Sequence, residues 1–167
     1  MSRIFDQHIM PASPKMFRYA ISILKDPDAA GDVVQECLAK IWQKRSILQD
    51  VQNYEAWAMR IVRNQCLDWV KLNRYTVLGP EHEKTTNMNT DSQLIMDDQL
   101  KWLASSLDQL PKKQQEVYHL REVEELSYQE IAEVLTISID DVKVCIHRAR
   151  NHVRNSLQQL DAYGIAN

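Results

Sequence analysis

The sequence predicts an all-α chain: two small helical domains joined by a flexible acidic linker, the second containing a helix-turn-helix. Three observations carry this reading. The 167 residues include only 3 Gly and 5 Pro, which suits long helices and argues against an all-β fold. Apolar residues recur at helical spacing along most of the chain. Charge is unevenly spread, with 11 Lys/Arg against 8 Asp/Glu in residues 1–75 but 2 against 6 in residues 76–110. The apolar fraction of 44% is enough for packed cores.

Pro14 to Leu24 is the first predicted helix, with Met16, Tyr19, Ala20 and Ile23 as its inner face. Asp26-Pro27-Asp28 ends it, because the residue before proline disfavours helix. Asp28 then caps a second helix running to about Arg45, with Val34, Leu38 and Ile41 inward and Trp42 at the edge. A polar loop covers Ser46 to Gln52. Asn53 caps a third helix from about Tyr54 to Leu72. On it, Ala58, Ile61, Val62, Trp69 and Leu72 lie on one side, and Arg60, Arg63, Asn64, Lys71 and Arg74 on the other. The first domain is thus placed at 1–75.

Thr76 to Ser92 contains Gly79-Pro80 and then polar and acidic residues without periodicity, so 76–92 reads as the linker. Fully extended, it could span about 55 Å. The second domain, 93–167, resumes helical spacing from Gln93 to Leu107 through Leu94, Leu100, Leu103 and Leu107. Lys112 to Val123 forms the next helix, opened by Pro111 at a favoured first-turn position and packing through Val117 and Leu120.

Ser127 to Arg154 then reads as two helices joined by a tight turn. Ser127 with Glu130 is a capping box, and Ile131, Ala132 and Leu135 form the apolar face behind it. Thr136 and Ile137 make the turn. Ser138 with Asp141 is a second cap of the same kind. Val142, Ile146, Ala149 and Val153 face inward, while Lys143, His147, Arg150 and Arg154 form a neighbouring stripe with Arg148 further round. Two capped helices, the second bearing cations, are the layout of a helix-turn-helix reading the major groove.

The net charge of −3 means that any nucleic-acid contact comes from local patches. Cys37, Cys66 and Cys145 are far apart and form no CxxC pair, which argues against a disulfide framework or a zinc site and fits a reducing cytoplasm. The histidines stand at no metal-ligand spacing from them. No Gly-rich phosphate loop or nucleophile-base set supports an enzyme, and no cofactor is expected. The N-terminus lacks the basic-then-apolar pattern of a signal peptide, and no apolar run is long enough for a bilayer, so a cytoplasmic protein is expected.

Two sets of motifs carry a family resemblance. Leu107-Asp108-Gln109-Leu110-Pro111, Leu126-Ser127-Tyr128-Gln129-Glu130-Ile131-Ala132, Val142-Lys143 and His147-Arg148-Ala149-Arg150 form one. Asp32-Val33-Val34-Gln35-Glu36, Trp42, Ala56-Trp57, Arg60-Ile61 and Asn64 form the other. In order and spacing the chain resembles a bacterial RNA polymerase sigma factor of the sigma-70 family, extracytoplasmic-function class. The front set matches that family's second conserved region and the rear set its fourth.

The resemblance implies a promoter-specificity subunit that directs transcription initiation. Its partners would be core RNA polymerase, promoter DNA and an anti-sigma factor, with no small-molecule substrate. Asp32, Gln35 and Glu36 would contact the polymerase clamp. Arg60, Arg63, Asn64, Lys71 and Arg74 would meet the minus-ten element, the cations holding phosphates and Asn64 lying at the pocket for a flipped base. Arg60 fits a structural salt bridge equally well, and Trp57 fits either a stacked base or the core. Lys143, Val144, His147 and Arg148 would face the minus-thirty-five duplex. Arg150 suits a phosphate or a helix of its own domain.

Three positions depart from the family pattern. Thr136 stands where a turn glycine is usual. Asp140 and Asp141 replace a common Gly-Thr at the start of the recognition helix. Gly31 replaces a commonly acidic residue before Asp32. The alternative to a sigma factor is a stand-alone helix-turn-helix regulator, which needs neither the basic front face nor the acidic second helix.

Overall fold

The computed structural model describes residues 2–77 and 98–163, and every regular element among them is helical. Short turns at Ser2–Ile4 (α1), Phe5–Ile9 and Met10–Ala12 lead into α2 (Ser13–Leu24). Then come α3 (Pro27–Gln43), a 3₁₀ stretch at Arg45–Asp50 and α4 (Tyr54–Val77). The second half holds α5 (Asp98–Asp108), α6 (Lys112–Tyr118), a π turn at His119–Val123, α7 (Tyr128–Leu135) and α8 (Ile139–Ala162). The helix of the first domain's basic face therefore runs to Val77, two residues into the expected linker. The rest of 76–92, and the predicted helix start at Gln93, lie outside the described residues.

Helix ends follow local chemistry. Asp26, not Asp28, caps α3: its side chain accepts from the Asp28 and Ala29 amides at 3.0 and 3.2 Å. The physical reason is Pro27, which sits at the first helical position and holds Asp26 extended (φ −140°, ψ 109°), the backbone of a cap. Asn53 caps α4 as predicted, its Oδ1 accepting from the Ala56 amide at 3.0 Å. Pro111 stands just before α6 rather than inside its first turn.

In the first half, α2, α3 and α4 pack together around Met16, Tyr19, Ala20, Val33, Val34, Cys37, Ile41, Met59, Val62 and Cys66. Two pieces of this core were not expected. Phe5 and Ile9 of the N-terminal turns are buried, and so is Leu48 in the stretch read as a polar loop. Completely burying such a side chain stabilises by about 1.5–3 kcal/mol, enough to order an otherwise polar segment. Leu72, assigned inward, is instead 69% exposed. Cys37 and Cys66 are buried between α3 and α4, and burial pushes their thiols up to about 11 and about 12.

In the second half, α8 is the spine, touched by α5, α6 and α7. Val117, Leu120, Ile131, Val134, Val142, Ile146, Ala149 and Val153 are buried there. Leu100 was assigned inward but is 52% exposed. Instead Ser106 of α5 is buried, its hydroxyl 2.6 Å from that of Ser156, and Trp102 donates to the Ser156 carbonyl.

The halves are not separate bodies. Helix α7 packs on α4, and the buried apolar residues of both form one continuous cluster. No described helix is long and apolar enough to cross a membrane.

Candidate nucleic-acid interface

On α4, Arg60, Arg63, Asn64, Lys71 and Arg74 share one face because a helix advances about 100° per residue, which puts all five within roughly 60° of Arg60. Arg60, Asn64, Lys71 and Arg74 are exposed. Arg60 makes no ion pair with a described residue, so the salt-bridge alternative does not arise from the described residues. Arg63 differs. It lies at the edge of the face, half-buried, with its Nε 2.6 Å from Glu116 Oε2 of the second half. Burial alone would lower the Arg63 pKa, but the hydrogen bond and charge of Glu116 more than reverse this.

Beside this face is an open cleft of about 370 Å³. The segment Ile47 to Asn53 forms one wall, and Ala56, Trp57 and Arg60 of α4 form the other. Glu133 of α7 closes one side. Trp57 is half-buried, packs against the core and lines this cleft. Asn64 lies along the same face of α4 but is not among the lining residues. The walls at 47–53 were missed in the sequence, where that stretch read only as a polar loop.

On α3, Asp32, Gln35 and Glu36 are exposed on the side opposite Val33, Val34 and Cys37. Glu36 pairs with Lys40 at 2.7 Å, one turn on. The Cβ that Gly31 lacks would meet only Phe17 Cε2 at 3.8 Å, an ordinary contact, so packing does not demand glycine here.

The helix-turn-helix has the predicted joints. Ser127 and Glu130 form a reciprocal capping box. Thr136 ends α7 in the left-handed conformation with φ 55°, which explains why glycine would suit it and shows that threonine is held there. Ser138 caps α8, its Oγ accepting from the Asp141 amide at 3.0 Å. The Asp141 carboxylate does not reciprocate. It stands 3.9 Å from Lys113 Nζ, so the second cap is Ser138 alone, with Asp141 acting on the helix dipole.

Lys143, Val144, His147 and Arg148 are all exposed on α8 while Val142, Cys145, Ile146 and Ala149 are buried. The structure thus brings these four together on one solvent-facing surface. Lys143 lies 3.8 Å from Asp140, a loose pair in water worth little. The Asn151 amide lies 3.1 Å from His147 Nε2 and makes that nitrogen an acceptor. Arg148 makes no hydrogen bond or ion pair with any described residue. Arg150 is held by Glu122 at 2.6 Å, so of its two expected uses the structure has the one within its own domain.

Sequence reasoning missed the acidic residues that join the halves. Glu116 also accepts from the hydroxyl of buried Tyr19 at 2.8 Å. Burial, then the nearby carboxylate, pushes that phenol well above its usual range. Glu130 accepts from Asn53 Nδ2 at 2.8 Å. Burial would raise the Glu130 pKa, but the bonds from Asn53 and Ser127 hold it below the usual value. Glu124 is buried and accepts from Arg18 Nε and Nη2, and Lys25 reaches Asp108 at 3.3 Å. These pairs join residues far apart in sequence, so no local spacing announces them.

Comparisons with known proteins agree with this layout. Residues 9–75 match the model of sigma-70 region 2, and residues 100–153 that of sigma-70 region 4. The chain is 26% identical over 166 residues to the RNA polymerase sigma-E factor of Streptomyces coelicolor, covering 95% of this chain and 89% of that one. It is 27% identical over 158 residues to the ECF RNA polymerase sigma factor SigW of Bacillus subtilis, covering 87% and 84%. Among solved structures it is similar to the sigma factor RpoE of Bartonella quintana, crystallised with the anti-sigma factor NepR. That match has a TM-score of 0.72 at 25% identity and covers 92% of this chain and 96% of that one.

Proposed function

The chain belongs to the sigma-70 family, in its extracytoplasmic-function class, and we propose that its two halves divide a promoter between them. It is a promoter-specificity subunit of RNA polymerase. In the finer reading, Asp32, Gln35 and Glu36 bind the polymerase clamp. Arg60, Arg63, Lys71 and Arg74 hold minus-ten phosphates while Asn64 reads a base taken out of the stack. Lys143, Val144, His147 and Arg148 face the minus-thirty-five duplex, where Lys143 and Arg148 can donate to guanine or phosphate and Val144 can touch a thymine methyl. Domain limits of 1–75 and 93–167 go with this division. The chain acts by binding, without chemistry of its own, in the cytoplasm where polymerase and DNA are. An anti-sigma factor would restrain it, as NepR is bound to RpoE.

One observation supports the reading most: both conserved regions occur in order, and each carries an exposed polar face suited to its DNA element. A stand-alone regulator is not favoured, because it would need no clamp-binding helix. Transcription in vitro tests the reading. With core polymerase and genomic fragments, the chain should give discrete start sites that core polymerase alone does not. Tight, specific DNA binding by the free chain with no stimulation of polymerase would overturn it.

A further inference from the structure

We propose that Asn151 sets how His147 reads DNA: it fixes the imidazole as a hydrogen-bond donor, so the minus-thirty-five element carries guanine, and excludes cytosine, at the base His147 meets. The proposal rests on the reading of α8 as the helix facing that element and names one base of its ligand.

The two residues stand one turn apart on the same side of α8. At about 100° per residue, Val144, His147 and Asn151 fall within roughly 60° of one another, on the side away from buried Ile146, Ala149 and Val153. His147 is exposed and Asn151 is half-buried. Asn151 Nδ2 lies 3.1 Å from His147 Nε2. An amide nitrogen can only donate, so Nε2 is the bare nitrogen of the ring. The proton of the neutral imidazole then sits on Nδ1. Nδ1 makes no hydrogen bond with a described residue, so its N–H is left for a ligand.

This makes His147 different from its neighbours. Lys143 and Arg148 always donate, and they can hold a phosphate or a guanine edge alike. Either nitrogen of a neutral imidazole can donate or accept, so an unrestrained ring would suit base edges of both kinds. The bond from Asn151 removes that freedom. A side-chain bond one turn apart on an exposed helix face adds little stability, which leaves orientation as its main effect.

The base edges in the major groove then decide. Guanine offers two acceptors there, N7 and O6, whereas cytosine offers only its N4 donor. A fixed N–H that faces guanine is bonded. One that faces cytosine meets another N–H, and both groups give up water without gaining a partner. Adenine and thymine, with one acceptor each, fall between.

The test uses the full chain, first free and then assembled with core polymerase. Long-range ¹⁵N–¹H NMR of the free chain at alkaline pH should find His147 protonated on Nδ1. In Asn151→Ala it should find the mixture of an unrestrained ring. Asn151→Ala and His147→Ala should both melt like wild type by circular dichroism, because neither side chain is buried. The holoenzyme then transcribes promoters with a randomised minus-thirty-five element. One position should favour guanine over cytosine about tenfold in wild type and about twofold or less in His147→Ala. Asn151→Ala should relax that same position to a similar degree and leave the others as they were. Three results would each overturn the proposal: a wild-type ring protonated on Nε2, no His147-dependent position that favours guanine over cytosine, or an intact preference in Asn151→Ala. No discrete start sites from wild type would refute the promoter-subunit reading and the proposal with it. Normal start sites together with any of the three results refute the proposal alone.

Discussion

Arg18 donates two hydrogen bonds, at 3.0 and 2.7 Å, to the two oxygens of Glu124, so a cation of the first domain neutralises a carboxylate buried in the second. The Glu124 side chain has no exposed surface, while that of Arg18 is 48% exposed. The pair therefore sits between two regimes. Removing one partner of a fully buried pair costs about 3–5 kcal/mol, and an exposed pair is worth about 0–1.

Arg18→Ala should lower stability by about 1–3 kcal/mol, because it leaves Glu124 buried with His119 as its remaining side-chain partner. Thermal melting followed by circular dichroism should fall by several degrees. Arg18→Lys should recover only part of the loss, since an ammonium cannot grip both oxygens at once. An unchanged melt in Arg18→Ala would show that Glu124 needs no charge from the first domain.

Acid should loosen the chain from near pH 6.5 downward. His119 Nε2 lies 3.1 Å from Glu124, a contact that would favour the charged ring. Burial works the other way and is the larger effect, with Arg18 and Lys25 adding to it, so the His119 pKa is lowered from 6.5. Tyr19 stacks on the ring at 5.8 Å and brings no charge. A histidine kept neutral when folded lets the unfolded chain bind more protons in acid, so stability is present above about pH 6.5 and is lost as pH falls. Glu130, held below its usual 4.5, adds a loss of the same sign only below that pH. His119→Gln should flatten the first decline in a melting series from pH 7.5 to 5 and leave the second.

Thr136→Gly should stabilise the second domain. A β-branched residue at φ 55° carries a steric cost of about 1 kcal/mol that glycine avoids, less the entropy glycine loses on folding. A urea midpoint shifted upward at constant slope is the expected result. A lower midpoint would mean that the Thr136 side chain makes contacts worth more than the strain.

Asn64→Ala should damage promoter opening while leaving stability within about 0.5 kcal/mol, because the side chain is exposed. Permanganate footprinting reads opening and gel shift of the holoenzyme reads duplex binding. Equal loss in both assays would remove Asn64 from base reading.

Lys143→Ala and Arg148→Ala should weaken use of promoters that depend on the upstream element, by about 1–3 kcal/mol where a base is read. Arg150→Ala is the contrast. Its guanidinium is held by Glu122, so the variant should melt earlier with an unchanged ranking of promoter sequences. A promoter library scored on all three separates the outcomes.

What the sequence revealed was local. The Ser127–Glu130 box, the Asn53 cap and the αL demand at Thr136 each depend on a few neighbouring residues, and each is present. Asp28 was mistaken for a cap because the acidic residue after Pro27 looks as suitable as the one before it; proline's grip on the preceding residue decides for Asp26. Leu72 and Leu100 fit the helical period yet lie outside the core, since spacing cannot say where packing stops. Glu116 and Glu124 were invisible as partners. Their cations come 53 to 106 residues earlier, and only the fold brings them together.

The buried thiols of α3 and α4 have a consequence for what the chain can sense. Oxidants attack the thiolate, and burial pushes the Cys66 thiol up to about 12, so little thiolate is present at neutral pH. Cys66, with no exposed surface, is both unionised and shielded, and Cys37 is nearly so. While folded, the chain is deaf to peroxide at these two positions.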